Sequence, residues 1–351
     1  MKRILSWTAS TVLLVGVALL LTTAGLAQQQ PPAPQGQAPQ PPKPRRVVVT
    51  FDGQVEDVPE VKPEDFQMEV GKQKAPPVKV LKAEELPTLL AIVLQDNQPP
   101  DFGVQLSALR EFITAQPPNT YVGVFYLNGQ TIDFALPPPH FFSDLPRVAN
   151  ALRAPNGNPA AAPPSPYDKV AQIVAYMDSL PEARKEILLF SEGSDSIAAQ
   201  SAATPQQNKM LVQAIKRSVQ AGIPVWVVYV LAFAPETRLT EITGQGPLGR
   251  EGQGKQAPSA EYGGMAAPGT DPFGSAGAAV SGSAYLDYLA DATGAKVFSS
   301  AKFAVDIRPF LAEFNKLLHQ QVVLEYQGEG ELKRVKMNRK LRGVKMLAPE
   351  R

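Results

Sequence analysis

Apolar positions along this chain change their spacing twice. Near the N-terminus, valine-rich or alternating runs over 46–51, 66–70 and 78–81 predict short strands of a half-exposed sheet. The far end reads alike, with short strands over 322–326, 335–337 and 344–347 and a Gly328-Glu329-Gly330 turn between the first two. Between them, continuous apolar runs alternate with helical stripes, the signature of an α/β layer fold. The runs over 89–94 and 187–190 have the character of strands buried on both faces. Helical stripes follow from Val104, Leu106, Leu109, Phe112 and Ile113, and from Val170, Ile173, Val174 and Met177. Leu211, Ile215 and Val219 form a third stripe, closed by Gly222 ahead of a strand over 223–230. The clearest stripe is the last, Ile307, Phe310, Leu311, Phe314, Leu317 and Leu318. All of these stripes are expected to be core.

Strands over 121–127 and 131–136 are separated by Asn128-Gly129-Gln130, and Asn-Gly is a strong hairpin signal because both residues tolerate positive φ. The expected fold class is therefore α/β: a doubly wound, mostly parallel sheet with one antiparallel edge strand. A small β subdomain formed by the N- and C-terminal segments, 46–86 and 322–351, completes it. The α/β domain itself is expected over 87–321.

Composition sets the boundaries. Met1-Lys2-Arg3, an apolar stretch over 12–21 and Ala24-Gly25-Leu26-Ala27 form the tripartite pattern of a secretory signal, 1–27, cleaved after Ala27. The competing reading is a retained membrane anchor over 4–26. With the signal cleaved, no intrinsic transmembrane segment is expected, and the product is exported, periplasmic or extracellular. Segment 28–45 is dominated by Gln, Pro and Ala and reads as an extended spacer. Residues 232–281 are rich in Gly, Ala, Pro, Gln and Ser without a sustained period, and are expected to be a disordered loop. No cysteine is present, so neither a disulfide nor a lipid-bearing cysteine contributes. A net charge of +1 indicates no nucleic-acid partner.

The candidate chemistry lies where the two most apolar strands end. The run 89–94 enters Asp96-Asn97-Gln98-Pro99-Pro100, and 187–190 enters Ser191-Glu192-Gly193. Ligands of such sheets gather at the carboxyl ends of the strands, so these loops mark a binding rim. Its candidate residues are Asp96, Asn97, Gln98, Asp101, Ser165, Asp168, Glu192, Ser194 and Asp195. Individually, Asp96 could be a helix-entry residue, and Asp195 with Ser196 a cap.

This order of elements resembles the von Willebrand factor A domain. The flanks are similar to those of the acidobacterial family of exported proteins related to it: Pro63-Glu64-Asp65-Phe66-Gln67-Met68-Glu69 with Gly71-Lys72 ahead of the domain, and Val335-Lys336-Met337-Asn338-Arg339 through Val344-Lys345-Met346-Leu347-Ala348-Pro349 at its end. The resemblance implies a metal-ion-dependent adhesion site built from an Asp, two Ser at the second and fourth positions after it, a Thr from a later loop and an Asp after the next buried strand. Matched in place, Asp96 is kept, whereas Gln98 and Pro100 stand at the serine positions. The threonine position falls in Pro163-Pro164-Ser165, ahead of Tyr167-Asp168, and Glu192 replaces the final Asp. Mg²⁺ requires near-octahedral oxygens at about 2.0 to 2.1 Å, proline offers no side-chain oxygen, and glutamate places its carboxylate about 1.5 Å further out. Asp96 and Glu192 are thus the remaining candidate ligands for Mg²⁺ or Mn²⁺ in a degenerate site.

Other constellations are weaker. Gly244-Gln245-Gly246-Pro247-Leu248-Gly249 matches a dinucleotide fingerprint by letter but follows no buried strand. His140 and His319 lack metal-ligand spacing. Lys333, Arg334, Lys336, Arg339, Lys340, Arg342 and Lys345 form a basic run, read as a solvated strand face or as a contact with an anionic envelope surface. The expected function is an exported, non-enzymatic module that binds a protein partner at the rim. The alternatives are metal-dependent adhesion through Mg²⁺ or Mn²⁺, and a secreted hydrolase using carboxylates such as Glu192 and Asp96.

Overall fold

The computed structural model describes residues 44–53, 58–98, 100–137, 144–156, 165–181, 183–193, 195, 204–229, 274–299 and 306–350; for 100, 101 and 274–281 only the backbone is described. In chain order the strands are β1 (Arg45–Gly53), β2 (Phe66–Val70), β3 (Gln73–Ala75), β4 (Lys79–Lys82), β5 (Thr88–Gln95), β6 (Thr120–Asn128), β7 (Thr131–Phe134), β8 (Arg184–Ser191), β9 (Val225–Tyr229), β10 (Val297–Phe298), β11 (Gln321–Tyr326), β12 (Leu332–Met337) and β13 (Val344–Leu347). The helices are α1 (Leu106–Thr114), α2 (Leu145–Asn150), α3 (Pro166–Asp178), α4 (Lys209–Ala221), α5 (Gly274–Thr293) and α6 (Arg308–His319). No helix among the described residues is long and apolar enough to cross a membrane.

Six strands form the central sheet in the order β10-β9-β8-β5-β6-β7. β5 pairs in parallel with both β6 and β8, β8 with β9 and β9 with β10, while β7 returns antiparallel to β6 through the Asn128-Gly129 turn. The chain therefore builds outward from β5 in one direction, then crosses back to β8 and builds in the other. Every residue of β5 and β8 is buried, as their unbroken apolar character requires of strands covered on both faces. α1 packs against α2 and α6, α3 against α4, and α4 against α5. Their apolar stripes supply the cover: Val170, Ile173, Val174 and Met177 of α3 are all at most 1% exposed. Val104 departs from this pattern, because it lies on a 3-10 turn (Pro100–Gln105) ahead of α1 and is 69% exposed.

The terminal segments form two antiparallel sheets, β13-β1-β11-β4 and β12-β2-β3. Their inward residues Phe51, Phe66, Met68, Val335 and Leu347 share one apolar cluster with β5 and β8, and residues 43–351 form one compact unit. β1 crosses the end of α4 closely: Gly222 ends that helix at φ +66°, and a Cβ there would run into the Arg46 carbonyl. Residues 230–273, most of the expected loop, lie outside the described residues. Its end is corrected, since α5 already begins at Gly274. The start of α5 mixes alanine with helix-disfavouring glycine and serine, so neither its propensity nor an apolar period announces the helix.

At the amino ends of the strands a buried polar group joins the central sheet to the terminal sheet. Arg184 donates to Gln321 Oε1 at 2.8 Å, to Thr88 Oγ1 at 2.8 Å and to the Leu318 carbonyl at 2.5 Å. Glu186, fully buried, accepts from Trp226 Nε1 at 2.7 Å, and burial pushes its carboxyl up to about 7. The folded chain thus holds this proton more tightly than the unfolded chain, whose value is the ordinary 4.5. The stabilisation is complete below about 4.5 and is lost as pH rises through about 7, with a range on the order of 3 kcal/mol. Thermal unfolding followed from about pH 5 to about pH 8 should show the melting temperature falling, and Glu186→Gln should flatten that fall. An unchanged slope in the variant would assign the dependence elsewhere.

Candidate functional site

The crevice outside β5 and β8 is where strand order reverses, the position at which open α/β sheets receive ligands. Asp96 follows β5 directly and its amide donates to the Leu127 carbonyl at 3.0 Å, which fixes the loop against β6. Its side chain is wholly buried. An isolated carboxylate there would cost several kcal/mol, so it must be matched by charge and hydrogen bonds.

Arg153, in the loop after α2, supplies that match. Its Nη1 lies 2.6 Å from Asp96 Oδ1 and its Nη2 lies 3.1 Å from Oδ2, a two-pronged pairing of guanidinium and carboxylate. Asn156 adds its backbone N–H to Oδ1 at 3.0 Å and its side-chain amide to Oδ2. The guanidinium stacks 3.9 Å from the centre of the Tyr126 ring, and the Tyr126 hydroxyl both accepts from Arg153 N at 2.9 Å and donates to Arg153 O at 3.0 Å. Asp133 of β7 stands 3.7 Å from Nη2. Hydrogen bonding to Asp96 raises the Arg153 pKa above its ordinary value, and burial raises that of Tyr126.

The second carboxylate of the rim is in the same crevice. Asn97 Nδ2 donates to Glu192 Oε1 at 3.1 Å, and the Glu192 amide donates to Gln95 Oε1 at 3.0 Å. Gln98 Nε2 reaches the Phe190 carbonyl at 3.3 Å. Among the described residues these bonds leave Asn97 Oδ1 and Gln98 Oε1 buried without a hydrogen-bond donor. Burial, then the neighbouring charges of Glu192 and Asp287, raises the pKa of Tyr229 at the end of β9.

Ser165 and Asp195 form a separate network. Ser165 Oγ donates to Asp195 Oδ2 at 2.7 Å, and Asn208 Nδ2 donates to the same oxygen at 3.0 Å. Ser165 and Asn208 occupy the N-cap positions of α3 and α4, and Asn208 Oδ1 accepts from the amides of Met210 and Leu211. Asp195 thus ties two helix starts together, and the segment it was expected to cap lies outside the described residues. Tyr167 of α3 donates to the Gly193 carbonyl at 3.1 Å. Gly193, at φ +73°, meets Gly282 of α5 backbone to backbone, with no room for a Cβ on either. No contact joins Asp168 to Asp96 among the described residues: it is the half-buried residue of the first turn of α3, with Gln172 at 2.8 Å and Lys169 at 3.6 Å. Asp101 lies in the 3-10 turn with only its backbone described, and Ser194 and Ser196 lie outside the described residues.

These contacts bear on the expected pairing of Asp96 with Glu192 as metal ligands. Both Asp96 oxygens already accept from Arg153 and Asn156, so the positive charge beside this carboxylate is the guanidinium. Among the described residues no cluster of three or more His, Asp or Glu side chains is arranged to hold a metal. The donor set does not suit Mg²⁺, which needs unshared oxygens in a strict octahedron. Arg153 and Asn156 were not singled out in the sequence. The signal available was a lone basic residue in a Pro- and Asn-containing loop, Leu152-Arg153-Ala154-Pro155-Asn156, after an unforeseen short helix.

No protein-family model matches the chain, and no curated protein matches it. Among solved structures, the chain is similar to proximal thread matrix protein 1 from the mussel byssus, at 14% identity and TM-score 0.31, over 41% of this chain and 38% of that one. It is also similar to the PilB minor pilin from Streptococcus sanguinis, at 13% identity and TM-score 0.37, over 70% of this chain and 64% of that one. The N-terminal domain of TFIIH p34 aligns at 12% identity and TM-score 0.26, over 42% of this chain and 82% of that domain. The chain thus spans less than two thirds of the mussel protein and of the pilin, and at these TM-scores none of the likenesses decides fold or function.

Removing Arg153 strands a buried carboxylate. Arg153→Ala should lower unfolding free energy in urea by about 2–4 kcal/mol, short of the loss for a wholly buried pair because the arginine side chain is 38% exposed. Arg153→Lys should recover only part, since an ammonium does not span both oxygens. Asp96→Ala combined with Arg153→Ala should cost less than the sum of the single changes. A loss below about 0.5 kcal/mol for Arg153→Ala would show that the pair does not hold the rim.

Proposed function

We propose that this chain is an exported, non-enzymatic protein-binding module with a von Willebrand factor A-like fold, of the acidobacterial family that its flanking motifs resemble. It binds its partner at the strand-end rim without a metal. Export rests on the tripartite pattern over 1–27. The fold reading is supported by the sheet order, which counted from β5 runs 6-5-4-1-2-3, with its antiparallel edge strand.

One observation carries the functional reading: Asp96, the residue at the head of the adhesion-site pattern, is occupied by an internal guanidinium on both oxygens. The same contacts speak against catalysis by Asp96, because Arg153 and Asn156 together take its four lone-pair sites and leave none aimed at a substrate. What the rim still offers is acceptor capacity. Asn97 Oδ1 and Gln98 Oε1 are buried and undonated, beside Glu192. A partner presenting N–H or ammonium groups suits a rim bordered by the Glu192 carboxylate.

Capture of partners from an envelope extract tests the reading, comparing the mature chain with the doubly substituted Asn97→Ala, Glu192→Ala protein in buffer with and without EDTA. Capture should survive EDTA and fail with the double variant. Loss of capture in EDTA, equal capture by the variant, or no capture by either protein would contradict it.

A further inference from the structure

We propose that the chain carries a second binding site, independent of the rim: a groove between β12 and β13 that takes an extended acidic segment of a partner protein as an added β-strand. The groove has a volume of about 400 Å³. One wall is lined by Arg334, Val335, Lys336 and Met337, which are consecutive. Side chains of a strand alternate between its faces, so a cavity lined by consecutive residues lies along the strand's edge. Among the described residues that edge is paired at one position only. β12 pairs with β2 on one side, and on the other its single bridge among the described residues joins Arg334 to Glu350. β13 likewise ends its own sheet, pairing with β1 alone.

The floor is apolar. Phe51 of β1 stands opposite Met346 of β13 and shares its face, and Val344 follows at the same alternation. Phe51 is fully buried, whereas Val344 and Met346 are half-buried, so the floor is open from the groove side. A segment hydrogen-bonded along β12 would turn alternate side chains onto this floor and the others outward.

Charge complementarity identifies what the outward side chains must be. The segment 332–345 contains seven Lys or Arg residues and no Asp or Glu, in a chain of net charge +1. Arg334, Lys336, Arg339 and Lys340 all line the groove, and Glu350 is its one acidic lining residue. Arg334 pairs with Glu350 and Arg339 with Asp65 at 3.2 Å, while Lys336 and Lys340 make no ion pair among the described residues. Arg334 Nε is in addition buried without an acceptor. An alternating acidic and apolar strand meets all three features, the open edge, the floor and the free ammonium groups, in the manner of β-strand addition. A flat anionic membrane would use the charges and leave the edge and floor idle.

Fluorescence anisotropy on the full mature chain tests this with a labelled (Val-Glu)4 peptide, a (Pro-Glu)4 peptide of equal charge that cannot add to a strand edge, and phosphatidylglycerol vesicles. (Val-Glu)4 should bind at least tenfold tighter than (Pro-Glu)4. Lys336→Glu with Lys340→Glu, both exposed positions, should weaken (Val-Glu)4 at least tenfold with an unchanged circular dichroism spectrum. Lys333→Glu with Lys345→Glu, which removes the same charge outside the groove, should change it less than threefold. Equal binding of the two peptides, equal loss in both double variants, binding of vesicles but not of (Val-Glu)4, or no binding at millimolar peptide would each overturn the proposal.

Discussion

A carboxylate sealed from water at the end of a central strand has to meet a positive charge, and the organisation of this rim follows from how that demand is met. Asp96 is fully buried where β5 opens into its loop. A dication bound from solvent could answer it, or a cation built into the chain. This chain uses the second solution. The arginine fork matches both carboxylate oxygens, and a weakly hydrated guanidinium gives up less on leaving water than an ammonium or a magnesium ion does. Because the same short loop also contributes Asn156, neutralising the charge fastens the loop to the sheet. Tyr126 sets the plane of the guanidinium and bonds the arginine's own backbone at both N and O. The cation is therefore a fixed part of the architecture, with each partner holding another in place.

The surrounding elements are arranged to keep the crevice rigid. Ser165, Asp195 and Asn208 connect the starts of α3 and α4 through one carboxylate oxygen, and the backbone approach of Gly193 to Gly282 draws α5 against the β8 loop. Strand-end carboxylates in this fold thus perform different tasks. Asp96 anchors a loop, Asp195 joins helix starts, and Glu192 borders the acceptors that remain undonated.

Much of the scaffold was legible in the residues because burial on both faces leaves an unambiguous imprint. The runs 89–94 and 187–190 became β5 and β8 with extensions of one to three residues at each end, and Asn128-Gly129 made the antiparallel edge. That Asp96 and Glu192 share a crevice followed from equivalent strand ends, and Asn97 bridges the two loops in space. The electrostatic solution was not legible. Arg153 is 57 residues from Asp96, in a loop with no periodic pattern, and nothing local distinguishes an arginine that turns inward from one that faces solvent. Asp168 lies one helical turn beyond Ser165, where its described partners are Gln172 and Lys169 of its own helix. Val104 looked like helical core by spacing and is exposed, because the 3-10 turn breaks the 3.6-residue period before α1 begins.

The most direct test of the central claim is a crystal structure of the mature chain grown with millimolar Mn²⁺, with anomalous scattering recorded at the manganese edge. The account predicts no manganese peak within coordination distance of Asp96 and the Arg153 guanidinium across both carboxylate oxygens. A manganese ion bound to Asp96, with Arg153 swung away into solvent, would contradict it.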